Sequence, residues 1–173
     1  MINNVKKLIR DIDNFPKEGV TFKDITPVLS DKDAFKFVID KMAEIIKDNK
    51  IDVIVGPESR GFIFGCPLAY KLGIGFVPAR KPSKLPSDHI SETYKTEYGE
   101  ATLSIHSDSI KTGQRVLLID DLLATGGTIN ASSKLVERLG GEVIGALFLI
   151  EILSLNGRKN ISKINYQSLI TYD

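Results

Sequence analysis

The 173-residue sequence predicts an α/β fold, a mostly parallel central sheet flanked by helices. Short apolar runs alternate with stretches of helical period through the last two thirds of the chain. Runs such as Val116–Ile119 are apolar at successive positions, as strands covered on both faces are. Small-residue turns stand where such strands hand over to helices, the usual ligand position in open parallel sheets.

Taken in order, Ile2, Val5, Leu8, Ile9 and Ile12 recur at helical spacing and predict an opening helix before Phe15-Pro16. Ser30 is the expected cap of a second helix, with Asp33 three residues on. Phe35, Val38, Ile39, Met42, Ile45 and Ile46 mark its apolar face. A strand over 51–55, a helix over 61–72 and a strand over 75–79 follow. Residues 80–100 show no usable period, contain Pro82 and Pro86, and exceed the length of most connections, so a lid or binding loop is expected there. Ala101, Leu103 and Ile105 alternate with polar residues and predict an edge-like strand rejoining the sheet. A strand over 115–119, a helix over 128–139 closed by Gly140-Gly141, and a strand over 142–150 complete the β-α-β order. No repeat or linker interrupts it, and one domain over 1–173 is expected.

With 42% hydrophobic and 26% charged residues, the composition suits a globular domain with a proper core. Lys and Arg number 23 against 22 Asp and Glu; the net charge of +1 excludes bulk attraction to nucleic acid or anionic lipid, so any anion binding is local. The single cysteine, Cys66, excludes an internal disulfide and is expected as a small buried residue on the helix after Gly61. Together with His89 and His106 it makes a poor metal set. No apolar run approaches the roughly 20 residues of a membrane span, and Met1–Lys7 does not read as a signal peptide. A reducing, cytoplasmic setting with no membrane and no nucleic-acid partner is expected.

Two segments carry chemistry. Strand 51–55 runs into Gly56-Pro57-Glu58-Ser59-Arg60-Gly61, and strand 115–119 runs into Asp120-Asp121 and the turn Ala124-Thr125-Gly126-Gly127-Thr128. In the second, two glycines let backbone amides approach an anion, Thr125 and Thr128 add hydroxyls, and the following helix adds its positive end. A plain glycine turn with a Thr cap has the same composition. Adjacent aspartates tip the reading toward a ligand, because they repel each other unless donors or cations face them. Neither segment is a Walker loop or a Gly-x-Gly-x-x-Gly turn.

The stretch VLLIDDLLATGGT (Val116–Thr128) resembles the phosphoribosyl-pyrophosphate signature of the type I phosphoribosyltransferases, in the form of the adenine-using members. NFPKEGVTFKDITPVL, GPESRGFIFG, RKPSKLP, YKTEYG and IEILSLNGR are similar to that family's other segments, in the same order and over nearly the whole chain. The resemblance implies a type I fold with a small N-terminal hood (1–30) and a flexible lid (80–100). It also implies magnesium-dependent transfer of the phosphoribosyl group to adenine, giving AMP and pyrophosphate.

Breaking the ribose C1–O bond builds positive charge on the sugar and negative charge on the departing pyrophosphate, so cations and preorganised donors are needed there. By the resemblance, Ala124, Thr125, Gly126, Gly127 and Thr128 hold the 5′-phosphate, and Asp120 and Asp121 bind ribose hydroxyls. Glu58, Ser59, Arg60 and Gly61 help hold pyrophosphate, where Ser59 stands in place of the usual Ala. Arg80, Lys81 and Lys84 supply further charge; Arg80 is similar to a residue that reaches a neighbouring subunit's site, which implies a homodimer. Glu97 is the expected catalytic group, managing a proton at purine N7. Phe22 is expected to stack on the purine while the backbone of Thr21 and Lys23 reads its edge and Ile152 closes the pocket. Lys23 stands where an Arg is familiar, and Thr96 where Leu is common. No metal ligand set is expected; magnesium arrives through the substrate's phosphates and ribose. Two other functions share these motifs: transfer to hypoxanthine, guanine or xanthine, and a phosphoribosyl-pyrophosphate-sensing regulator without turnover. Against the latter, only about 50 residues precede the first sheet strand, with no basic cluster for DNA.

Overall fold

The computed structural model describes residues 1–96 and 99–173, and the chain divides after Ile46 into two units. In the first unit, α1 covers Ile2–Leu8, β1 Arg10–Asp13, β2 Thr21–Asp24, α2 Thr26–Ser30 and α3 Lys32–Ile45. The opening helix is shorter than its apolar spacing predicts. After Leu8 the chain extends, and β1 pairs antiparallel with β2, setting Ile12 opposite Phe22. The cap of α3 is Asp31 rather than Ser30: its carboxylate accepts from the amides of Asp33 and Ala34, while Ser30 closes α2. Val38, Ile39, Met42 and Ala43 make the buried stripe of α3. Asp24 accepts from the Thr26 amide at 2.9 Å and pairs with Arg10 at 2.6 Å; hydrogen bonds from the Thr26 side chain and amide, with a lesser share from Arg10, hold its carboxyl down at about 2.

The second unit is built on β3 (Val53–Pro57), α4 (Arg60–Leu72), β4 (Gly75–Ala79), β5 (His89–Thr96), β6 (Gly99–His106), β7 (Arg115–Leu123), α5 (Gly127–Arg138), β8 (Glu142–Ile152) and β9 (Tyr166–Tyr172). Five strands form one parallel sheet in the order β4-β3-β7-β8-β9. Val53, Ile54, Val55, Val116–Ile119 and Ala146–Ile150 are all buried, as strands covered on both faces require. Gly65 is where α4 comes closest: a Cβ there would meet the Phe76 ring within 2.4 Å. Gly140 ends α5 at φ +85°, the left-handed cap that the glycine pair predicts.

Three expectations need correction. Residues 89–96, expected within a loop, form β5, and the strand expected to rejoin the sheet, β6, pairs with β5 in a separate antiparallel ribbon and is not one of the five sheet strands. A single bridge, Arg80 with Ser104, joins β6 to the chain after β4. Cys66 is exposed, because it falls on the outer side of α4 with Tyr70, while Gly65, Leu68 and Ala69 make the buried side. Finally, β7 runs on through Asp120-Asp121 to Leu123, since Leu122 and Leu123 extend its apolar pattern and pair with β8.

Candidate active site

At the carboxyl ends of β3 and β7 the second unit opens into a cavity of about 940 Å³. Glu58, Ser59 and Arg60 reach it from the turn after β3, Asp120 and Asp121 from β7, Ala124 and Thr128 from the turn before α5, and Lys81 from the chain after β4. A recess of about 60 Å³ beside it is lined by Asp120 together with Ala124, Thr125, Gly126 and Thr128. The two turns that the sequence singles out thus face one space. Of the remaining expected residues, Gly61, Arg80, Lys84 and Gly127 do not line it.

The two aspartates occupy different surroundings although they are adjacent. Asp121 is buried, and the Arg60 guanidinium meets its carboxylate at 3.0 Å. Asp120 keeps one side open to the cavity and accepts from the Asp121 amide at 2.9 Å. Burial pushes the Asp120 carboxyl well above its usual range, and the neighbouring Asp121 charge pushes it further. Burial raises Asp121 as well, but Arg60 opposes that rise. Asp120 is therefore the carboxylate that gains most from a new donor, such as a sugar hydroxyl.

Across the cavity Glu58 is tied down. Its carboxylate accepts from the Lys81 amide at 2.5 Å and from Arg80 at 3.2 and 3.3 Å, and the Glu58–Ser59 peptide is cis. Arg80, expected to reach a neighbouring subunit, is turned onto Glu58 of its own chain. Lys84 is exposed on the short turn Pro82–Lys84. Gly61 has a packing reason: a Cβ would lie 2.8 Å from Pro57 and 3.0 Å from the Ile119 carbonyl, so glycine seats α4 against β7.

The small-residue turn is confined from two sides. Gly126 has φ +79°, and a Cβ on it would stand 2.6 Å from the Gly157 carbonyl oxygen. A Cβ on Gly127 would stand 2.9 Å from the Lys95 carbonyl oxygen of the ribbon. Asn160 donates to the Thr125 carbonyl at 2.7 Å. Residues 153–161, which carry Gly157 and Asn160, are anchored in turn by Arg158, whose guanidinium bonds the buried Glu151 carboxylate at 2.5 and 3.1 Å.

Sequence reasoning missed Tyr94 and the residues Glu100–Leu103, which line the cavity from the ribbon, and Asn160 behind the turn. The ribbon had a signal. Ile90, Glu92, Tyr94 and Thr96 alternate with more exposed neighbours, and the Ala101, Leu103, Ile105 alternation follows after a glycine, as in a hairpin. Asn160 had none. Glu97, the expected catalytic residue, lies outside the described residues. In the first unit, Thr21, Phe22 and Lys23 all fall on β2: the Phe22 ring meets Phe15 edge-on at 5.3 Å, and Lys23 pairs with Asp11 at 2.7 Å. Ile152 ends β8, half-buried. Among the described residues no group of three or more His, Cys, Asp or Glu converges as a metal site, and no helix is long and apolar enough to cross a membrane.

The two turns and the paired carboxylates thus share one cavity at the end of a parallel sheet, and residues 28–173 match the phosphoribosyl transferase domain model. The chain belongs to that family. Among its relatives, the adenine phosphoribosyltransferase of Clostridium acetobutylicum is 53% identical over 98% of this chain and 99% of its own. The crystal structure of adenine phosphoribosyltransferase from Thermoanaerobacter pseudethanolicus superposes with a TM-score of 0.97 at 52% identity, covering 99% of this chain and 100% of that one. The Saccharomyces cerevisiae adenine phosphoribosyltransferase, solved with an imino-altritol bisphosphate and adenine, superposes at 0.91 with 38% identity over 97% of both chains.

Proposed function

We infer that this chain is an adenine phosphoribosyltransferase, transferring the phosphoribosyl group of phosphoribosyl pyrophosphate to adenine with formation of AMP and pyrophosphate. The observation that carries the reading is the convergence of Glu58–Arg60, Asp120-Asp121 and Ala124–Thr128 on one cavity at the carboxyl ends of parallel strands. The near-full-length similarity to adenine phosphoribosyltransferases supports the choice of base.

In this reading the Ala124–Thr128 turn takes the 5′-phosphate, using backbone amides, the Thr125 and Thr128 hydroxyls and the positive end of α5. Asp120 and Asp121 accept from the ribose hydroxyls, which relieves the desolvated Asp120 and fixes the sugar over the cavity floor. Arg60 and Lys81, with donors from the Glu58–Gly61 turn, face the pyrophosphate as its negative charge develops; Arg80 and Lys84 add positive charge nearby. In this reading the substrate is the magnesium complex of phosphoribosyl pyrophosphate. The ion's contribution is to neutralise the leaving group. Thr21, Phe22 and Lys23 are the proposed base-recognition residues of the first unit and Ile152 that of the second. With its ammonium engaged by Asp11, Lys23 reads the base through its backbone.

Residues 80–100 act as the lid, excluding water from the activated sugar, and Glu97 holds or donates the proton at the purine. A homodimer is supported by an apolar stripe on the outer side of α4, Ile63, Cys66, Pro67 and Tyr70, with Tyr70 91% exposed. For Arg80 to serve a neighbouring site it must leave Glu58. A cytoplasmic setting agrees with an exposed Cys66 thiol.

AMP formation from adenine and magnesium–phosphoribosyl pyrophosphate, measured for wild type and Glu97→Ala, tests the reading. Wild type is expected to turn over, and the variant to lose about 100-fold or more in kcat with phosphoribosyl-pyrophosphate binding nearly unchanged. No AMP from wild type would overturn the function; full turnover by Glu97→Ala would remove Glu97 from the mechanism and leave the function standing.

A further inference from the structure

Tyr94 stands in the cavity wall, yet it belongs to neither turn and is none of the expected site residues. Its position is fixed by packing rather than by the ribbon's far end. Lys134 of α5 pairs with Glu92 at 2.8 Å, and Arg138 donates to the Ser91 carbonyl at 2.6 Å, so β5 lies docked along α5. The Tyr94 ring is half-buried against the core with Ile90 and covers Gly127, where a Cβ would come within 3.1 Å of ring carbon Cδ2. At the ring's end Thr128 donates its hydroxyl to the Tyr94 oxygen at 3.3 Å.

A phenol beside a threonine hydroxyl can reverse that bond, since each group is both donor and acceptor. A threonine whose oxygen already accepts a hydrogen bond presents its own O–H in a defined direction. We propose that Tyr94 is a positioning residue for the phosphate turn: with a 5′-phosphate bound, its hydroxyl donates to Thr128 Oγ1 and aims the Thr128 O–H at a phosphate oxygen. Tyr94 is thereby the link between β5, the strand leading toward Glu97, and the turn that holds the other end of the substrate. The proposal rests on reading Ala124–Thr128 as the phosphate site.

Calorimetric binding of AMP and of adenosine, which lacks the phosphate, tests it in wild type, Tyr94→Phe, Thr128→Val and the double variant. Wild type is expected to bind AMP more tightly than adenosine. Tyr94→Phe is expected to weaken AMP about fivefold, the worth of one hydrogen bond, and to leave adenosine and Tm unchanged because the ring still covers Gly127. In the Thr128→Val background, Tyr94→Phe is expected to cost nothing further. Unchanged AMP affinity in Tyr94→Phe, equal weakening of AMP and adenosine, or the same loss in the Thr128→Val background would each overturn the role of Tyr94. Wild type binding AMP no more tightly than adenosine would instead overturn the phosphate reading itself, and this proposal with it.

Discussion

Asp120 and Asp121 show how two identical side chains acquire different work from their surroundings. Arg60 compensates Asp121, whereas Asp120 faces the cavity with its carboxyl raised by burial and by its neighbour's charge. A carboxyl raised in the folded state stabilises the fold most below its unfolded value, roughly pH 4, and that contribution is lost as pH climbs through the raised value. Asp120→Asn is therefore expected to raise the ligand-free Tm at pH 7, with the gain vanishing near pH 4, and to weaken phosphoribosyl-pyrophosphate binding. Thermal scans at the two pH values check it; equal gains at both would show that the charge is not the cause. These carboxylates were legible in the sequence because two acids ending an apolar run have few bland explanations. The division of labour between them was not legible, since it depends on Arg60 arriving from the start of α4. Tyr94 was hidden for the same reason: its partner Thr128 lies 34 positions away along the chain.

Among the elements, the turn before α5 depends on its neighbours for its shape. The ribbon stands over Gly127 and the 153–161 segment over Gly126, so the glycines that read as anion ligands are also demanded by packing. Gly157 is the tightest point: a Cβ there would be 2.3 Å from the Ala124 carbonyl oxygen and 3.0 Å from the Leu123 side chain. Gly157→Ala is expected to cost about 1–3 kcal/mol of stability and to raise the KM for phosphoribosyl pyrophosphate by displacing the turn. Gly75→Ala, whose Cβ would make only a 3.6 Å contact with Val53, is the control expected to change neither. Calorimetry and steady-state kinetics on the pair decide it, and identical behaviour of the two variants would refute the buttress. The main strands and both long helices of the second unit were legible because they are apolar runs or stripes with turn signals. The β5–β6 ribbon escaped because a polar, half-exposed hairpin alternates weakly, and β9 because Tyr166–Tyr172 mixes polar residues into a partly exposed strand.

Over the whole molecule, the parallel sheet brings together segments spread from Glu58 to Thr128, and the family match spans residues 28–173. The ordered motifs made that architecture legible, because each short segment is ambiguous alone but their sequence along the chain matches one topology. Base choice was less legible: the residues proposed for it lie on β2 of the first unit, where Lys23 departs from the familiar residue and pairs with Asp11. A donor-and-acceptor edge matched to adenine leaves buried groups unpaired against a 6-oxo purine, so discrimination is expected to be strong. The most direct measurement is pyrophosphate release from magnesium–phosphoribosyl pyrophosphate with adenine, hypoxanthine, guanine and xanthine in parallel. Release with adenine alone is the predicted result; release with an oxo-purine in its place, or with none of the four, would contradict the assignment.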